Sequence, residues 1–351
     1  MAHAATAQWS EAQSLAWAAK QPWIVGANYI PASAVNTLEM WQKETFDPAN
    51  IEKDFALAQS IGMNSMRVFL HDLLWQADPK GFGDRIEQVL ALADKHNIKL
   101  MLVLFDSCWN SYPKLGLQNP PRPGVHNSGW VQSPGMEALL DPAQTPRFKT
   151  YVTGVIGRFA KDPRVHSWDL WNEPDNVSEG SVFDKIEKLA AVEDLLPQVF
   201  TWARSMNPEQ PLTSGVWNGD WSTDAGLKSI AKIQLKSSDI ISFHSYEDSS
   251  KFQQRITSLE RFNRAILVTE YLGRPFGNSI QVMLPIMKQK HVGAYNWGFV
   301  AGKTQTYFPW DSWEKPYTSE PTPWFHDLFR ADHAPYDKAE IQIFRDLTGK
   351  N

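Results

Sequence analysis

The sequence predicts an α/β fold, specifically a single (β/α)8 TIM barrel with long loops after its strands. Eight short apolar runs alternate with stretches of helical periodicity, and such alternation is typical of parallel strands joined by helices. The chain has 351 residues, a length that barrels of this kind reach as one domain. Its 42% hydrophobic and 21% charged residues are ordinary for a globular protein with a large core.

The eight predicted strands are short runs rich in β-branched, aromatic and other apolar residues. No low-complexity linker separates them, so we expect one catalytic domain over residues 23–351, preceded by an N-terminal extension at residues 1–22. The strands are placed at residues 23–29, 65–70, 100–105, 165–171, 211–217, 240–246, 266–271 and 293–299.

Several helices between the strands have recognisable start signals. Asp47 followed by Pro48 fits the N-cap and first position of a helix that ends near Gly62. Asp84 is interpreted as the start of a second helix, and a third is predicted over residues 145–160. These helices fall between successive strands, as a barrel requires.

Two long segments interrupt the alternation, and both are rich in aromatic residues. Residues 107–145 contain Trp109 and Trp130 and are too long for a plain connector. Residues 299–323 follow the eighth strand and add further tryptophans. Because loops after barrel strands build the active face, we expect the first segment to cover or wall that face and the second to form another side of the cleft.

The charge and aromatic content of the chain restrict its partners. A formal net charge of -5 offers no basic surface for a phosphate backbone, so nucleic acid is not expected to bind. No window approaches the apolar length of a membrane span, so no membrane partner is expected. The 16 tryptophans, 9 tyrosines and 18 phenylalanines suit stacking on sugar rings, although core filling accounts for many of them.

The N-terminal residues carry a weak signal about the compartment. Cys108 is the single cysteine and therefore has no partner for an intrachain disulfide. The run Ala2-His3-Ala4-Ala5 has the small-residue character of a cleaved signal sequence. It favours a secreted or periplasmic protein and leaves a cytoplasmic one as the alternative.

Two glutamates at predicted strand ends carry the strongest chemical signal. The run 168–174 is an apolar strand that delivers Asn172 and Glu173 and is stopped by a proline, which ends strand pairing. The seventh predicted strand delivers Glu270. Catalytic side chains cluster at the carboxyl ends of barrel strands, and retaining glycoside hydrolysis needs two carboxyl groups, one as nucleophile and one as acid and base.

These motifs resemble clan A of the glycoside hydrolases, whose fourth strand ends in Asn-Glu-Pro and whose seventh strand ends in the nucleophile. The resemblance implies a retaining β-glycoside hydrolase with Glu173 as acid/base and Glu270 as nucleophile. Its expected substrates are β-linked gluco- or manno-type oligo- or polysaccharides, cleaved by double displacement. The nearest comparison is the cellulase-like family 5, which commonly has a histidine at strand three, where this chain has Phe105-Asp106-Ser107.

The same resemblance assigns supporting roles to five further residues. Arg67 would hydrogen-bond the nucleophile and favour its ionised form, and Asn172 would contact the sugar 2-hydroxyl. His244 and Tyr246 match a His-x-Tyr pattern at strand six, where the histidine contacts substrate and the tyrosine contacts the nucleophile. Trp297, placed at the end of strand eight, would form the floor beneath the sugar. The structural alternatives are a barrel salt bridge for Arg67, a turn cap for Asn172 and core packing for Trp297.

Three further residues near the strand mouths are candidates for substrate binding: Asp106, Trp109 and Trp217. No metal or other cofactor is expected, because the pairs His71-Asp72 and His244 with Asp248 match no zinc signature.

The main alternative function is a catalytically silent carbohydrate-binding TIM barrel. Such a protein would usually have lost one of the two glutamates, and this chain keeps both. An aldolase or a metal-dependent hydrolase would need a Schiff-base lysine or a ligand cluster at the strand ends, and the sequence pattern indicates neither.

Overall fold

The computed structural model describes residues 7–177 and 182–350, which form a barrel of eight parallel strands surrounded by helices. The strands follow the order β5-β4-β3-β2-β1-β8-β7-β6, and a parallel bridge between Val216 and Phe243 joins β5 to β6. The predicted (β/α)8 barrel is therefore confirmed. The signal-like run at residues 2–5 lies outside the described residues. Strands β1 to β8 are Val25–Tyr29, Ser65–Phe69, Lys99–Asp106, Val165–Asn172, Leu212–Thr213, Ile241–His244, Ile266–Tyr271 and Gly293–Asn296.

The helices of the described residues pack around this sheet. None of them combines the length and the apolar character that crossing a bilayer requires. Helices α1 to α12 are Glu11–Lys20, Thr37–Trp41, Pro48–Ser60, Asp72–Ala77, Pro79–Lys95, Met136–Leu140, Thr145–Phe159, Val182–Ser205, Ser229–Ser237, Ser249–Glu260, Ile280–Gln289 and Lys338–Thr348.

Several strands are shorter than their predicted runs. The run at 211–217 pairs regularly only at Leu212–Thr213, and the run at 293–299 pairs only as far as Asn296. Trp297 therefore follows β8 instead of ending it. The ladder between β7 and β8 shifts register near its carboxyl end, and such a bulge interrupts regular pairing.

The start signals of two helices show why one prediction was right and another wrong. Helix α3 has Asp47 as N-cap and Pro48 at its first position, as predicted. Asp84 does not start the next long helix: α5 begins at Pro79 with Asp78 as its N-cap. Asp78 precedes a proline as Asp47 does, and its carboxylate accepts a backbone N–H of the first turn, so the helix begins earlier.

The amino-terminal end of the barrel interior is filled by neutral, hydrogen-bonded side chains. His166 Nε2 lies 2.5 Å from the Tyr295 hydroxyl and 2.9 Å from Ser65 Oγ. Burial lowers the pKa of His166 to about 3, so the ring is neutral. Trp17 of α1 stacks on His166 at a centroid distance of 6.1 Å, and α1 thereby covers this end of the barrel.

Candidate active site

A cavity of about 500 Å³ opens at the carboxyl ends of the strands. Its lining comes mainly from residues that end or follow strands β3 to β8. Arg67 and Asp106, two of the predicted site residues, are buried and lie outside this lining. The other predicted site residues all line the cavity: Trp109, Asn172, Glu173, Trp217, His244, Tyr246, Glu270 and Trp297.

Glu173 and Glu270 come together at this cavity. Glu173 directly follows β4, and Glu270 is the penultimate residue of β7. His244 ends β6 and lies between them, with its Nδ1 atom 2.7 Å from Glu173 Oε1 and 3.5 Å from Glu270 Oε2. Carboxylate oxygens of the two glutamates lie within 4.8 Å of each other. At this separation the ionisation of one carboxyl group disfavours ionisation of the other.

Glu270 is held by donors that favour its charged form. Arg67 Nη1 donates to Oε1 at 3.1 Å, and the Tyr246 hydroxyl donates to Oε2 at 2.8 Å. Each oxygen therefore has a donor, and one of the donors is a cation. Such contacts stabilise a carboxylate over a carboxylic acid.

The Arg67 guanidinium is fully buried and connects β2 to the ends of β1, β4 and β7. Its nitrogens donate to Asp169 Oδ2 at 2.7 and 3.1 Å, to Asn28 Oδ1 at 2.7 Å and to Asn172 Oδ1 at 2.6 Å, in addition to Glu270. Two carboxylates balance its charge, as a buried cation requires. The guanidinium fixes Asn172 and Glu270 relative to each other.

Glu173 has uncharged donors. Asn176 Nδ2 donates to Glu173 Oε2 at 2.6 Å, and the Cys108 thiol donates to the same oxygen at 3.3 Å. The Glu173 backbone has a φ of +42°, a left-handed conformation that is uncommon for a residue with a side chain. Backbone strain of this kind concentrates at functional sites.

Burial raises the pKa of both glutamates to about 7. Arg67 and Tyr246 oppose this shift at Glu270, whereas only neutral donors and the more distant Arg67 charge oppose it at Glu173. We therefore assign the first ionisation to Glu270 and the remaining proton to Glu173, whose pKa stays raised beside the new charge. Burial also lowers the pKa of His244 to about 4, which keeps this ring neutral at neutral pH.

Asp106 is buried and holds two residues of the cavity wall in place. Its Oδ1 atom accepts a hydrogen bond from Asn172 Nδ2 at 2.8 Å, and its Oδ2 atom accepts one from Trp130 Nε1 at 2.5 Å. Burial raises the pKa of Asp106. Asp106 therefore orients Asn172 and Trp130 from behind the cavity wall.

Two predicted tryptophans line different sides of the cavity. Trp297 packs edge-on against Trp130 at a centroid distance of 6.1 Å. Trp217 Nε1 donates to Asp175 Oδ1 at 2.6 Å, which fixes the ring after β5. Aromatic faces of this kind are suited to stacking on the apolar faces of sugar rings.

The two long segments after β3 and β8 pack on each other. Trp109 stacks on Trp313, with ring centroids 4.9 Å apart and planes 6° apart. Trp313 Nε1 donates to the backbone oxygen of His126 at 2.8 Å. The first segment contributes Trp109 and Trp130 to the cavity lining, and the second contributes Trp310.

A buried lysine joins the loops around Glu173. Lys188 of α8 is 2% exposed and donates from Nζ to the backbone oxygens of Ser107 and Asn176, at 2.9 and 2.7 Å. It also donates to Gln132 Oε1 at 3.0 Å. One ammonium group thus joins two points of the segment after β3 to the turn after β4.

Glu173, His244 and Glu270 are also spaced so that they could hold a metal ion. Each of these side chains already has a hydrogen-bond partner among the described residues, and the Arg67 cation contacts Glu270 directly. A second cation would be repelled by that charge. The donor set suits a pair of carboxyl groups sharing a proton better than a divalent ion.

Sequence reasoning missed several residues that contact the glutamates or line the cavity. Asn176 stands three residues after Glu173 in a turn, a spacing that would have been a usable signal. Cys108, two residues after a strand end, would also have been detectable. Asn127 and His326 carry no such signal, because only the folding of the long segments brings them to the cavity.

The sequence of the chain matches a known protein family. The model of the family described as Cellulase (glycosyl hydrolase family 5) matches residues 25–303. Mannan endo-1,4-beta-mannosidase A from Hypocrea jecorina is 24% identical over 240 residues, covering 60% of this chain and 50% of that protein. This chain thus spans half the length of that relative.

Solved structures share the fold at low sequence identity. An exo-beta-1,4-mannosidase from Opitutaceae bacterium strain TAV5 aligns with a TM-score of 0.63 and 17% identity, covering 93% of this chain and 60% of that chain. A GH5_18 variant from Streptomyces cattleya, in complex with Manβ1-4GlcNAc, aligns with a TM-score of 0.61 and 11% identity, covering 92% and 80% of the two chains.

The family match spans the barrel from β1 to β8 and includes both glutamates. It also includes Asp106, so the departure from a histidine at strand three does not remove the chain from the family. The chain belongs to glycosyl hydrolase family 5, and through that family to clan A of the glycoside hydrolases.

Proposed function

We propose that this chain is a retaining β-glycoside hydrolase that cleaves β-linked mannosides by double displacement, with Glu270 as nucleophile and Glu173 as acid and base. The asymmetry of the glutamate pair carries the proposal: a cation and a hydroxyl donate to Glu270, and neutral groups donate to Glu173. Carboxyl groups about 5–5.5 Å apart are typical of retaining enzymes, and about 6.5–9.5 Å of inverting ones. One oxygen of each glutamate lies within 4.8 Å of the other, which is closer to the retaining range than to the inverting one.

The reaction follows from these positions. Glu270 attacks the anomeric carbon and forms a glycosyl-enzyme, while Glu173 transfers its proton to the leaving oxygen. Glu173, now a carboxylate, then takes a proton from water, which attacks the same carbon and releases Glu270. Asn172 Nδ2 donates to Asp106 Oδ1 at 2.8 Å and to Cys108 Sγ at 3.4 Å. We assign the N–H on the long thiol contact to the sugar 2-hydroxyl, and Trp297, which lines the cavity, to the floor beneath the sugar ring.

The sugar is inferred from the relatives. The Hypocrea jecorina protein is named a mannan endo-1,4-beta-mannosidase, and the Opitutaceae structure an exo-beta-1,4-mannosidase. We therefore expect 4-nitrophenyl β-mannoside to be cleaved with a higher kcat/KM than the matching β-glucoside. A clear preference for the glucoside would overturn the choice of sugar and leave the mechanism in place.

The roles of the two glutamates are tested by chemical rescue. Glu173→Ala should still form the glycosyl-enzyme from an activated aryl mannoside, because a good leaving group needs little acid assistance. Azide should then restore turnover and give a β-mannosyl azide of retained configuration.

Glu270→Ala is the matched variant, in which azide should give an inverted α-azide. A 2-fluoro mannoside should label Glu270 in the unmodified protein, as read by mass spectrometry. Rescue of Glu173→Ala with inversion, or a label on another residue, would show that the roles are assigned wrongly.

A further inference from the structure

The cavity is built differently at its two ends. At one end, which we call the closed end, the segments after β3 and β8 are joined by the Trp109–Trp313 stack and by backbone contacts. Asn127 N donates to the Thr304 oxygen at 2.7 Å, and Gly124 N donates to Gln305 Oε1 at 2.9 Å. These contacts link positions about 180 residues apart in the chain.

The other end, which we call the open end, is lined by residues after β4, β5 and β6. Trp217, Asn218, Glu247 and Arg255 line it. Arg255 pairs with Glu247 at 2.7 Å, and both side chains remain partly exposed. Their charges compensate each other, so this pair adds no net charge to the rim.

Asn127 brings an unpartnered amide to the closed end. The residue is 1% exposed and lines the cavity. Within residues 7–177 and 182–350, neither its Oδ1 atom nor its Nδ2 atom has a hydrogen-bond partner. Buried polar groups are normally paired, so a donor and an acceptor held in this way indicate a place for a ligand that supplies both.

His326 adds an acceptor beside this amide. Its ring is fully buried and lines the same cavity. Nδ1 contacts the backbone oxygen of Leu272 and must therefore carry the proton, which leaves Nε2 with a lone pair. Nε2 has no hydrogen-bond partner in the described part of the chain. Burial holds the pKa of His326 well below its ordinary value, which keeps this lone pair available.

We propose that the closed end is a blind subsite for the non-reducing terminal sugar, that Asn127 and His326 bind its hydroxyl groups, and that the enzyme removes single sugars from chain ends. This assignment rests on the proposed function, since it takes Trp297 as the floor of the sugar that is attacked. In a β-1,4-linked chain the 4-hydroxyl is free only on the non-reducing terminal sugar, and we assign this hydroxyl as the donor to His326 Nε2. Trp109 lines the cavity and stacks on Trp313, and we take this stack as the wall that stops a longer chain.

The mode of attack is tested with labelled manno-oligosaccharides. Mannohexaose with a reducing-end label should shorten by one sugar at a time, with mannose as the only small product from the first minutes. A matched hexaose whose non-reducing sugar carries a 4,6-O-benzylidene group should be at least tenfold slower to cleave, because its capped end does not fit the blind subsite. Internal cleavage of either substrate at the rate of the first cut would overturn the proposal.

Failure of this inference is distinguishable from failure of the proposed function. Cleavage of an aryl β-mannoside together with internal cuts in the blocked hexaose contradicts the blind subsite alone. If the aryl β-mannoside is not turned over at all while the protein is folded, the proposed function fails first.

Asn127 is tested with Asn127→Gly, because its φ of +48° suits glycine and the backbone contacts are kept. We expect kcat/KM for the aryl mannoside to fall about tenfold, because the variant loses one neutral hydrogen bond to the substrate. A monodeoxy mannoside that is cleaved slowly by the unmodified protein should lose nothing further in the variant. Additive losses for every deoxy position would contradict the contact.

Asn218→Ala is the matched control at the open end, where Asn218 Nδ2 donates to Asp175. This variant should change kcat/KM for oligosaccharides. The factor by which removal of each hydroxyl from the terminal sugar lowers kcat/KM should stay the same as in the unmodified protein. Disappearance in Asn218→Ala of the same factor that Asn127→Gly removes would contradict the assignment of the two ends.

The wall is tested by a pair of substitutions at Trp313. Trp313→Ala removes the stacking partner of Trp109, and cleavage of the blocked hexaose should rise at least tenfold relative to the unmodified protein. Trp313→Phe keeps an aromatic ring and should cleave the blocked hexaose as slowly as the unmodified protein. A folded Trp313→Ala variant without this gain would contradict the role of the stack as the end wall.

Discussion

The two ends of the barrel interior are both buried, but they are built from different chemistry. At the amino-terminal end, His166, Tyr295 and Ser65 form a neutral hydrogen-bonded layer. At the carboxyl end, Arg67 is buried with Asp169 and with the glutamate pair. Burying charge costs free energy that neutral layers avoid, so the charged layer is retained where the strands present their chemical groups.

Polar atoms without a hydrogen-bond partner among the described residues occur at both ends: His166 Nδ1 lies at the amino-terminal end, and Asp169 Oδ1 and His244 Nε2 lie at the carboxyl end. Of these three residues, only His244 lines the cavity. Such atoms cost stability in the absence of a ligand. Substitutions at the carboxyl end should therefore change activity and pH dependence, and substitutions at the amino-terminal end should change stability alone.

The largest expected effect comes from Arg67→Met. This change leaves Asp169 and Glu270 buried without their cation, and we expect a loss of about 3–5 kcal/mol in the free energy of unfolding, measured by urea denaturation. Hydrolysis of the aryl mannoside should fall more than about 100-fold, because ionised Glu270 loses its charged donor. Arg67→Lys keeps the charge without the planar guanidinium, so its losses of stability and activity should be smaller than those of Arg67→Met. Stability equal to the unmodified protein would show that the charged layer is not held by Arg67.

Tyr246→Phe should have a smaller effect that is visible in the pH profile. It removes one donor to Glu270 and so raises the pKa of that carboxyl group. Because Glu270 must be ionised to attack, the acidic limb of kcat/KM against pH should move to higher pH, while the basic limb, set by Glu173, stays in place. A shift confined to the basic limb would mean that the two glutamates have exchanged roles.

Asp327 is a buried carboxyl group whose Oδ2 atom accepts a hydrogen bond from Thr306, in the segment after β8, at 2.7 Å. Asp327→Asn should stabilise the protein at high pH. Burial raises the pKa of Asp327 to about 7, so the folded state holds a proton that the unfolded chain releases above its ordinary pKa. Stability is therefore lost as pH rises from about 4 to about 7. The variant should gain up to roughly 4 kcal/mol relative to the unmodified protein at pH 8, and little near pH 4. The Tm of both proteins across this range checks the sign, and a gain that is independent of pH would contradict it.

The smallest expected effect is that of Tyr295→Phe at the amino-terminal end. The change removes a hydroxyl that contacts Ser65 and His166, and we expect a loss of about 1–2 kcal/mol in the free energy of unfolding. The kcat for the aryl mannoside should remain unchanged, because the layer lies below the charged network. A loss of kcat beyond about twofold would show that the two ends are coupled.

The features predicted from the sequence are those that depend on local pattern. Glu173 and Glu270 could be located because each comes directly after an apolar run, and the residue pattern of that run alone predicts a strand. The helix start predicted at Asp84 was wrong, since the Asp78-Pro79 pair six residues earlier already supplies an N-cap and a first position. Boundaries such as the early end of β8 depend on register with neighbouring strands, which no single run specifies.

The residues that the sequence did not reveal are those placed by long-range contacts. Asn127 reaches the cavity because its segment is bound to residues near position 304 through backbone groups, and backbone groups leave no trace in residue identity. His326 likewise owes its orientation to the backbone oxygen of Leu272. The acidic pair was therefore predictable, and the surfaces that would select a substrate were not.

Lys188 has a consequence for how this barrel can be altered. Its single ammonium group donates to Ser107 and Gln132 in the segment after β3 and to Asn176 in the turn after β4. An insertion or deletion in any one of these segments would leave a buried cation short of acceptors, which is more costly than the change in loop length itself. The segment after β3, the turn after β4 and α8 should therefore be inherited as one unit, and a loop graft into a related barrel should succeed only when it carries the lysine and its helix along.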